Sequence, residues 1–239
     1  GLIIGAITRN GLDDLLVQAK AQNVPVVDMI NGVNPENISA RVAAEYWDNA
    51  DNVARYLVRT HPTDTPPGRI AWFPGPQTAN WVDSGNAGFL NGLKGGNLEV
   101  VTTRYGDTGR TIQRRLVEEV LDEGIEIDYI VGTAVTAEAA ISVLRTRGLT
   151  NSIDVISYYY SPGVHRAVRR GFVRAASTDQ QTLQSRIALD TMVRILEGRD
   201  FNRHVAPAPV LSERNLLSTW DDSTSLPPRG FRPIFCYNP

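Results

Sequence analysis

The sequence predicts an α/β protein of two lobes, each a parallel sheet flanked by helices. Three observations predict it. Short apolar runs alternate with helical periods from end to end, the mark of strand–helix–strand units. The runs are almost continuously apolar, as strands are when helices cover both faces of their sheet. And one tract, His61-Pro62-Thr63-Asp64-Thr65-Pro66-Pro67-Gly68, punctuates the chain as a linker.

Strands are expected at residues 2–7, 25–29, 69–73, 99–105, 129–133, 154–158 and 174–176. Helices are expected at 12–21, 43–59, 82–93, 108–122, 136–147, 163–170 and 179–196. Asp107-Thr108 reads as a helix start, and Gly148 and Gly198 as helix stops. With the boundary at the proline-rich tract, residues 1–64 form the first lobe and 65–176 the second. Residues 177–239 form a crossover helix and a return to the first lobe. Two strands and an irregular tail make a thin sheet against the usual ~4–6 strands. Either the first lobe is unusual or an N-terminal βαβ portion is missing, and the chain opens in an apolar strand pattern already under way, Leu2-Ile3-Ile4.

Composition narrows the function. The 239 residues carry a formal net charge of -2, which gives no electrostatic footprint for nucleic acid. No apolar run is long enough to cross a bilayer, so direct membrane insertion is not expected. A single cysteine, Cys236, excludes an intrachain disulfide and is expected to be buried and inert. It makes no convincing zinc set with His61, His165 and His204. The phosphate-loop, dinucleotide, serine-elbow and H-E-x-x-H motifs are all missing. Neither a cofactor, a metal nor an enzymatic activity is expected.

In an open α/β sheet, ligands bind beyond the carboxyl ends of the strands. Those positions hold Thr8-Arg9-Asn10, then Asp28 and Asn31-Gly32, then the stretch from Pro74 to Trp81, then Gly106-Asp107, Thr133 to Thr136, and Tyr158-Tyr159-Tyr160. The last crossover adds Ser177-Thr178-Asp179-Gln180-Gln181. Aromatic faces, hydroxyls, amides and a few carboxylates dominate, with few basic groups. That mixture suits a small neutral or cationic ligand, because an aromatic face beside a carboxylate holds alkylated ammonium groups. Each candidate has a second use. Trp81 sits at a helix entry and could pack on the sheet. Thr133 and Asp179 could cap helices. Tyr158, Tyr159 and Tyr160 alternate sides of an extended chain, and Tyr159 is assigned to the cleft.

The stretches Ala71-Trp72-Phe73-Pro74-Gly75-Pro76, Val131-Gly132-Thr133-Ala134-Val135-Thr136-Ala137-Glu138-Ala139-Ala140, Ser157-Tyr158-Tyr159-Tyr160-Ser161, Ser177-Thr178-Asp179-Gln180 and Gly230-Phe231-Arg232-Pro233 carry a resemblance. The chain resembles periplasmic binding proteins of the ribose-binding type, and more narrowly the TorT-type trimethylamine N-oxide sensors. The resemblance implies a type I periplasmic-binding-protein fold without its N-terminal βαβα portion, and a periplasmic location. It further implies a small-molecule ligand such as trimethylamine N-oxide between the lobes and the sensor domain of a membrane histidine kinase as partner. The family pattern matches at Tyr159 and the Asp179-Gln180 pair, and implies an aromatic at Tyr46, where a familiar member carries tryptophan. The expected ligand-binding set is Asn31, Tyr46, Trp81, Thr133, Tyr159, Asp179 and Gln180. A transport-type binding protein for a sugar or other small polar solute is the alternative. An α/β enzyme whose carboxylates meet only in space is a third reading.

Overall fold

The structure, a computed structural model, describes residues 1–6, 11–217, 220–228 and 230–232. Thr8, Arg9, Asn10, Pro233 and Cys236 lie outside them. Two sheets organise the described residues. The first contains β1 (Leu2–Ile4), β2 (Val26–Met29), β3 (Ala40–Val42) and β9 (His204–Val205), all parallel and in that order. The second has the order β10-β8-β7-β6-β4-β5: Val210–Glu213, Ala175–Thr178, Asp154–Ser157, Tyr129–Gly132, Gly68–Gly75 and Leu98–Tyr105. Only β10 runs antiparallel, against β8.

The two-residue side-chain period of a strand assembles the second lobe. On β4, Ala71 and Phe73 enter one apolar cluster, whereas Ile70 and Trp72 enter another on the opposite face. The same split separates Ile130 from Val131 and Val155 from Ile156. One face is covered by α4 (Arg110–Asp122), α5 (Ala134–Arg147) and α6 (Pro162–Arg170), through Val117, Ala140 and Val164. The other is covered by α2 (Tyr46–Thr60) and α3 (Asn80–Gly92), through Val53, Leu57 and Phe89. Burial on both faces is why these strands read as unbroken apolar runs. In the first sheet Val26 meets Leu16 of α1 (Asp13–Ala21), while Val27 meets Ala188 and Met192 of α7 (Gln181–Leu196).

This packing corrects the lobe boundaries. α2 lies on the second sheet, so the chain first passes between lobes at residues 43–45, and the proline-rich tract is a turn inside the second lobe. The chain returns after β8 at Asp179 and Gln180, and α7 and β9 belong to the first sheet. It crosses a third time between β9 and β10. The C-terminal portion therefore ends on the second lobe and not the first, with Trp220 and Leu226 against its core.

Side chains tie the three crossings together. Gln184 is fully buried; it accepts from the Ala44 N–H at 3.3 Å and donates to the Asp179 carbonyl at 2.6 Å. Gln180 donates to the Ala208 carbonyl at 2.8 Å. No helix of the described residues is long and apolar enough to cross a membrane.

Candidate functional site

The carboxyl ends of β2, β4, β7 and β8 converge where the crossings run, and five of the seven expected residues meet there. Tyr46 opens α2 and lies between two other rings. Its centroid is 5.4 Å from that of Trp81 and 5.9 Å from that of Tyr159, which it stacks at an interplanar angle of 11°. Its hydroxyl donates to Asn31 Oδ1 at 2.8 Å, and Asn31 Nδ2 donates to the Ala6 carbonyl at 2.8 Å. Asn31 thus uses both ends of its amide to position Tyr46 across the lobes. The turn that presents it is strained, since Ile30 is β-branched and has φ 73°.

Trp81 is seated by Gly75, whose φ is 121° and where a Cβ would lie 2.4 Å from the indole Cη2. Tyr159 is fixed from below: Ser157 Oγ donates to its carbonyl at 2.6 Å. The neighbours of Tyr159 point elsewhere. The chain bends after β7, so Tyr158 and Tyr160 do not share a side as an extended chain would have them do, and they enter clusters on opposite faces of the sheet. Tyr158 is buried with its hydroxyl on the Pro74 carbonyl, and Tyr160 reaches His165 on the other side.

Asp179 supplies the charge. It is 3% exposed, and its Oδ1 is buried with no hydrogen-bond partner among the described residues. Burial raises its pKa to about 6, although Gln184, the backbone and Tyr159 each pull it down. The Tyr46 and Tyr159 hydroxyls are held far above their ordinary pKa by burial and by the Asp179 charge, and stay protonated donors.

Beside the rings opens a cavity of about 550 Å³ between the lobes. Asn31, Gly32 and Arg41 line it from the first lobe, Glu45 and Tyr46 from the crossing, and Trp81, Ser84 and Asp107 from the second. It falls in the ~300–1,000 Å³ range of small-molecule sites. The described residues contain no group of three or more metal-ligating side chains.

Two expectations are placed differently. Thr133 is 5% exposed and caps α5: its Oγ1 accepts from the Thr136 N–H at 3.3 Å and contacts Thr136 Oγ1 at 2.9 Å. Its hydroxyl is used by the fold. Gln180 takes a left-handed conformation at φ 57°, which sends its amide to Ala208 and away from the rings. The neighbouring Gln181 faces the site instead, bonding the Tyr159 side chain and donating to the Tyr160 carbonyl at 3.1 Å. The backbone reversal at Gln180 leaves no trace in residue type. Arg41 was also missed, because its three-residue strand carries no period.

Comparison with known proteins agrees with this geometry. Residues 1–200 match the periplasmic binding protein domain family. The periplasmic protein TorT of Escherichia coli O157:H7 is 30% identical over 236 residues, spanning 99% of this chain and 67% of that protein. A crystal structure of the TorS sensor domain–TorT complex in the presence of trimethylamine N-oxide superposes with a TM-score of 0.86 at 29% identity, over 98% of this chain and 79% of that one. An ABC transporter solute-binding protein from Bradyrhizobium sp. BTAi1 with bound bis-tris has a TM-score of 0.87 at 39% identity, over 98% and 70% of the two chains. The chain belongs to the periplasmic binding protein family and, with its two sheets and the cleft between them, is a periplasmic binding protein of the TorT type.

Proposed function

We propose that the protein captures a small methylated amine, with trimethylamine N-oxide as the reference ligand, and reports its presence to the sensor domain of a membrane histidine kinase without chemical turnover. One observation carries the ligand class: a buried carboxylate with an unpartnered oxygen beside the Tyr46 and Tyr159 rings, with Trp81 against Tyr46. A polarised trimethylammonium group lies against ring faces and a negative charge, and needs no hydrogen-bond donors there. The accepting oxygen of an amine oxide takes a donor from a protonated tyrosine hydroxyl such as Tyr159. Signalling follows if ligand and kinase each favour one arrangement of lobes about the three crossings.

TorT in complex with the TorS sensor domain supports the sensing role. The Bradyrhizobium protein supports a second reading, delivery of an amine to a transporter. Bis-tris, bound in that protein, is a hydroxylated tertiary amine, and the TorT complex was obtained in the presence of an amine oxide. A sugar is the remaining alternative, since Asn31, Arg41, Glu45 and Asp107 line the cleft beside the rings.

Calorimetry with trimethylamine N-oxide and with ribose tests the ligand. Binding of the amine oxide alone is expected, and binding of ribose alone would overturn the proposal. A TorS-type sensor domain that co-elutes with the protein supports sensing, whereas failure to associate with or without ligand favours transport.

A further inference from the structure

Arg41, which the ligand reading above does not use, stands on the wall of the same cleft. It is the middle residue of β3, and its side chain is 21% exposed. It pairs with Asp28 at 3.9 Å, beyond hydrogen-bonding distance, and the Arg41 Nε is buried with no hydrogen-bond partner among the described residues. No hydrogen bond from the guanidinium to a described residue is present, and Arg41 lines the cavity, where its N–H donors are open to a ligand.

The placement is built in. The guanidinium lies over Gly32, where a Cβ would approach Nη2 to 2.7 Å, and φ there is 84°. Arg41 also lines a second cavity of about 370 Å³, with Arg203 and Glu45 on its wall. Glu45 and Asp107 reach the cleft too, but both are exposed and remain hydrated. Among the less exposed charges, Arg41 lines the cavity with the buried Asp28 behind it, and Asp179 sits behind the Tyr46 and Tyr159 rings. Volume points the same way. Trimethylamine N-oxide fills on the order of 100 Å³, taking ~20–30 Å³ per heavy atom by analogy with liquid water. The cleft beside the rings holds about 550 Å³.

We infer that the cleft selects a zwitterion, a methylated ammonium carboxylate, with its ammonium at the Asp179 and aromatic end and its carboxylate on the Arg41 fork. This rests on the methylated-amine reading and narrows it. A guanidinium pairs a carboxylate through two parallel N–H bonds, a geometry that a lone hydroxyl or amine-oxide oxygen cannot fill.

The test is calorimetry on the full chain with glycine betaine, its homologues with longer spacers between nitrogen and carboxylate, choline and trimethylamine N-oxide. The best carboxylate should bind about tenfold or more tighter than choline, the worth of a charge-assisted bidentate contact. Arg41→Gln should erase that advantage and leave choline within about twofold. Arg41→Lys keeps the charge beside Asp28 should the glutamine variant not fold, and should lose part of the advantage because it lacks the fork. If choline and the amine oxide bind but no carboxylate exceeds them, or if both variants keep the advantage, the zwitterion inference fails alone. If no methylated amine binds, the proposed function fails and this inference falls with it.

Discussion

Two clusters in the second lobe pair aromatic rings with a titratable side chain, and they differ in how their polar atoms are used. At the cleft, Tyr46 and Tyr159, with Trp81 against Tyr46, lie beside Asp179, whose Oδ1 has no hydrogen-bond partner among the described residues. Beneath the sheet, Tyr160 and Trp220 surround His165. There the Tyr160 hydroxyl meets His165 Nδ1 at 2.9 Å and Ser212 Oγ at 3.1 Å, and Asp222 lies 3.9 Å from the other ring nitrogen. The closed network cements α6, β10 and the segment around Asp222 to one another. The open one keeps a buried charge waiting. A buried polar atom without a partner costs stability, so its persistence points to a ligand that supplies the partner.

Replacing Asp179 should produce the largest effects, of opposite sign for binding and stability. Asp179→Asn removes the charge while keeping the shape. Affinity for a methylated ammonium ligand is expected to fall about a hundredfold, since a desolvated charge contact is lost. The apo protein should meanwhile gain roughly 1–3 kcal/mol at pH 7.5, because Asp179 has its pKa raised from 3.8 to about 6 in the fold. A raised carboxylate pKa means that the folded state binds the extra proton between those values. Stability contributed by the neutral acid is present below pH 3.8 and lost as pH rises through about 6. Thermal melts and calorimetry on the same variant read both effects, and an unchanged or lowered melting temperature at pH 7.5 would make Asp179 structural. Ligand affinity in the wild type should also weaken as pH falls through about 6, because the cationic end selects the ionised form.

Tyr159→Ala comes next. It removes one stacking face from the site and should weaken binding about tenfold to a hundredfold. Trp72→Phe serves as the control, in the apolar layer on the other face of the second sheet. Trp72 stacks on Phe89 at 4.1 Å and donates to Asn86 Oδ1 at 2.7 Å, so its loss should cost stability and leave affinity near the wild type. Equal effects on affinity would remove Tyr159 from the site.

How far the sequence announced all this differs between the two lobes. The second lobe was legible because its strands are buried on both faces and its helices carry caps: Ser161 and Thr133 at starts, Gly148 and Gly171 at φ 70° and 77° at stops. The first lobe was not. β3 and β9 have three and two residues, too short for any period to register, and their pairing partners lie far along the chain. The Pro66-Pro67-Gly68 turn looked like a domain boundary because residue type reports a break in secondary structure and not which sheet the next helix packs on. At the site, the rule that ligands gather at strand ends pointed to Asn31, Trp81, Tyr159 and Asp179, the family resemblance added Tyr46, and the fold brings these five together. The rule could not foresee that Gln180 would turn away, or that Arg41 would face inward from the middle of a strand.

The closed cluster should respond least, and only in stability. Ser212→Ala deletes one hydrogen bond to the Tyr160 hydroxyl and should cost about 1 kcal/mol, with ligand affinity unmoved. Its pH response has the opposite sign to that of Asp179. Burial lowers the His165 pKa below 6.5, against the pull of Asp222 and with help from Arg169 and Arg166. A lowered histidine pKa means that the unfolded chain takes up the proton first, so the contribution of neutral His165 is complete above pH 6.5 and is lost as pH falls. His165→Gln, which keeps a hydrogen-bonding side chain that does not titrate, should therefore flatten the acid side of the stability profile, whereas Asp179→Asn should flatten the fall between pH 3.8 and about 6. Melting temperatures of the two variants across that span separate the clusters. If both profiles shift in the same direction, the distinction between a finished network and one awaiting a ligand does not hold.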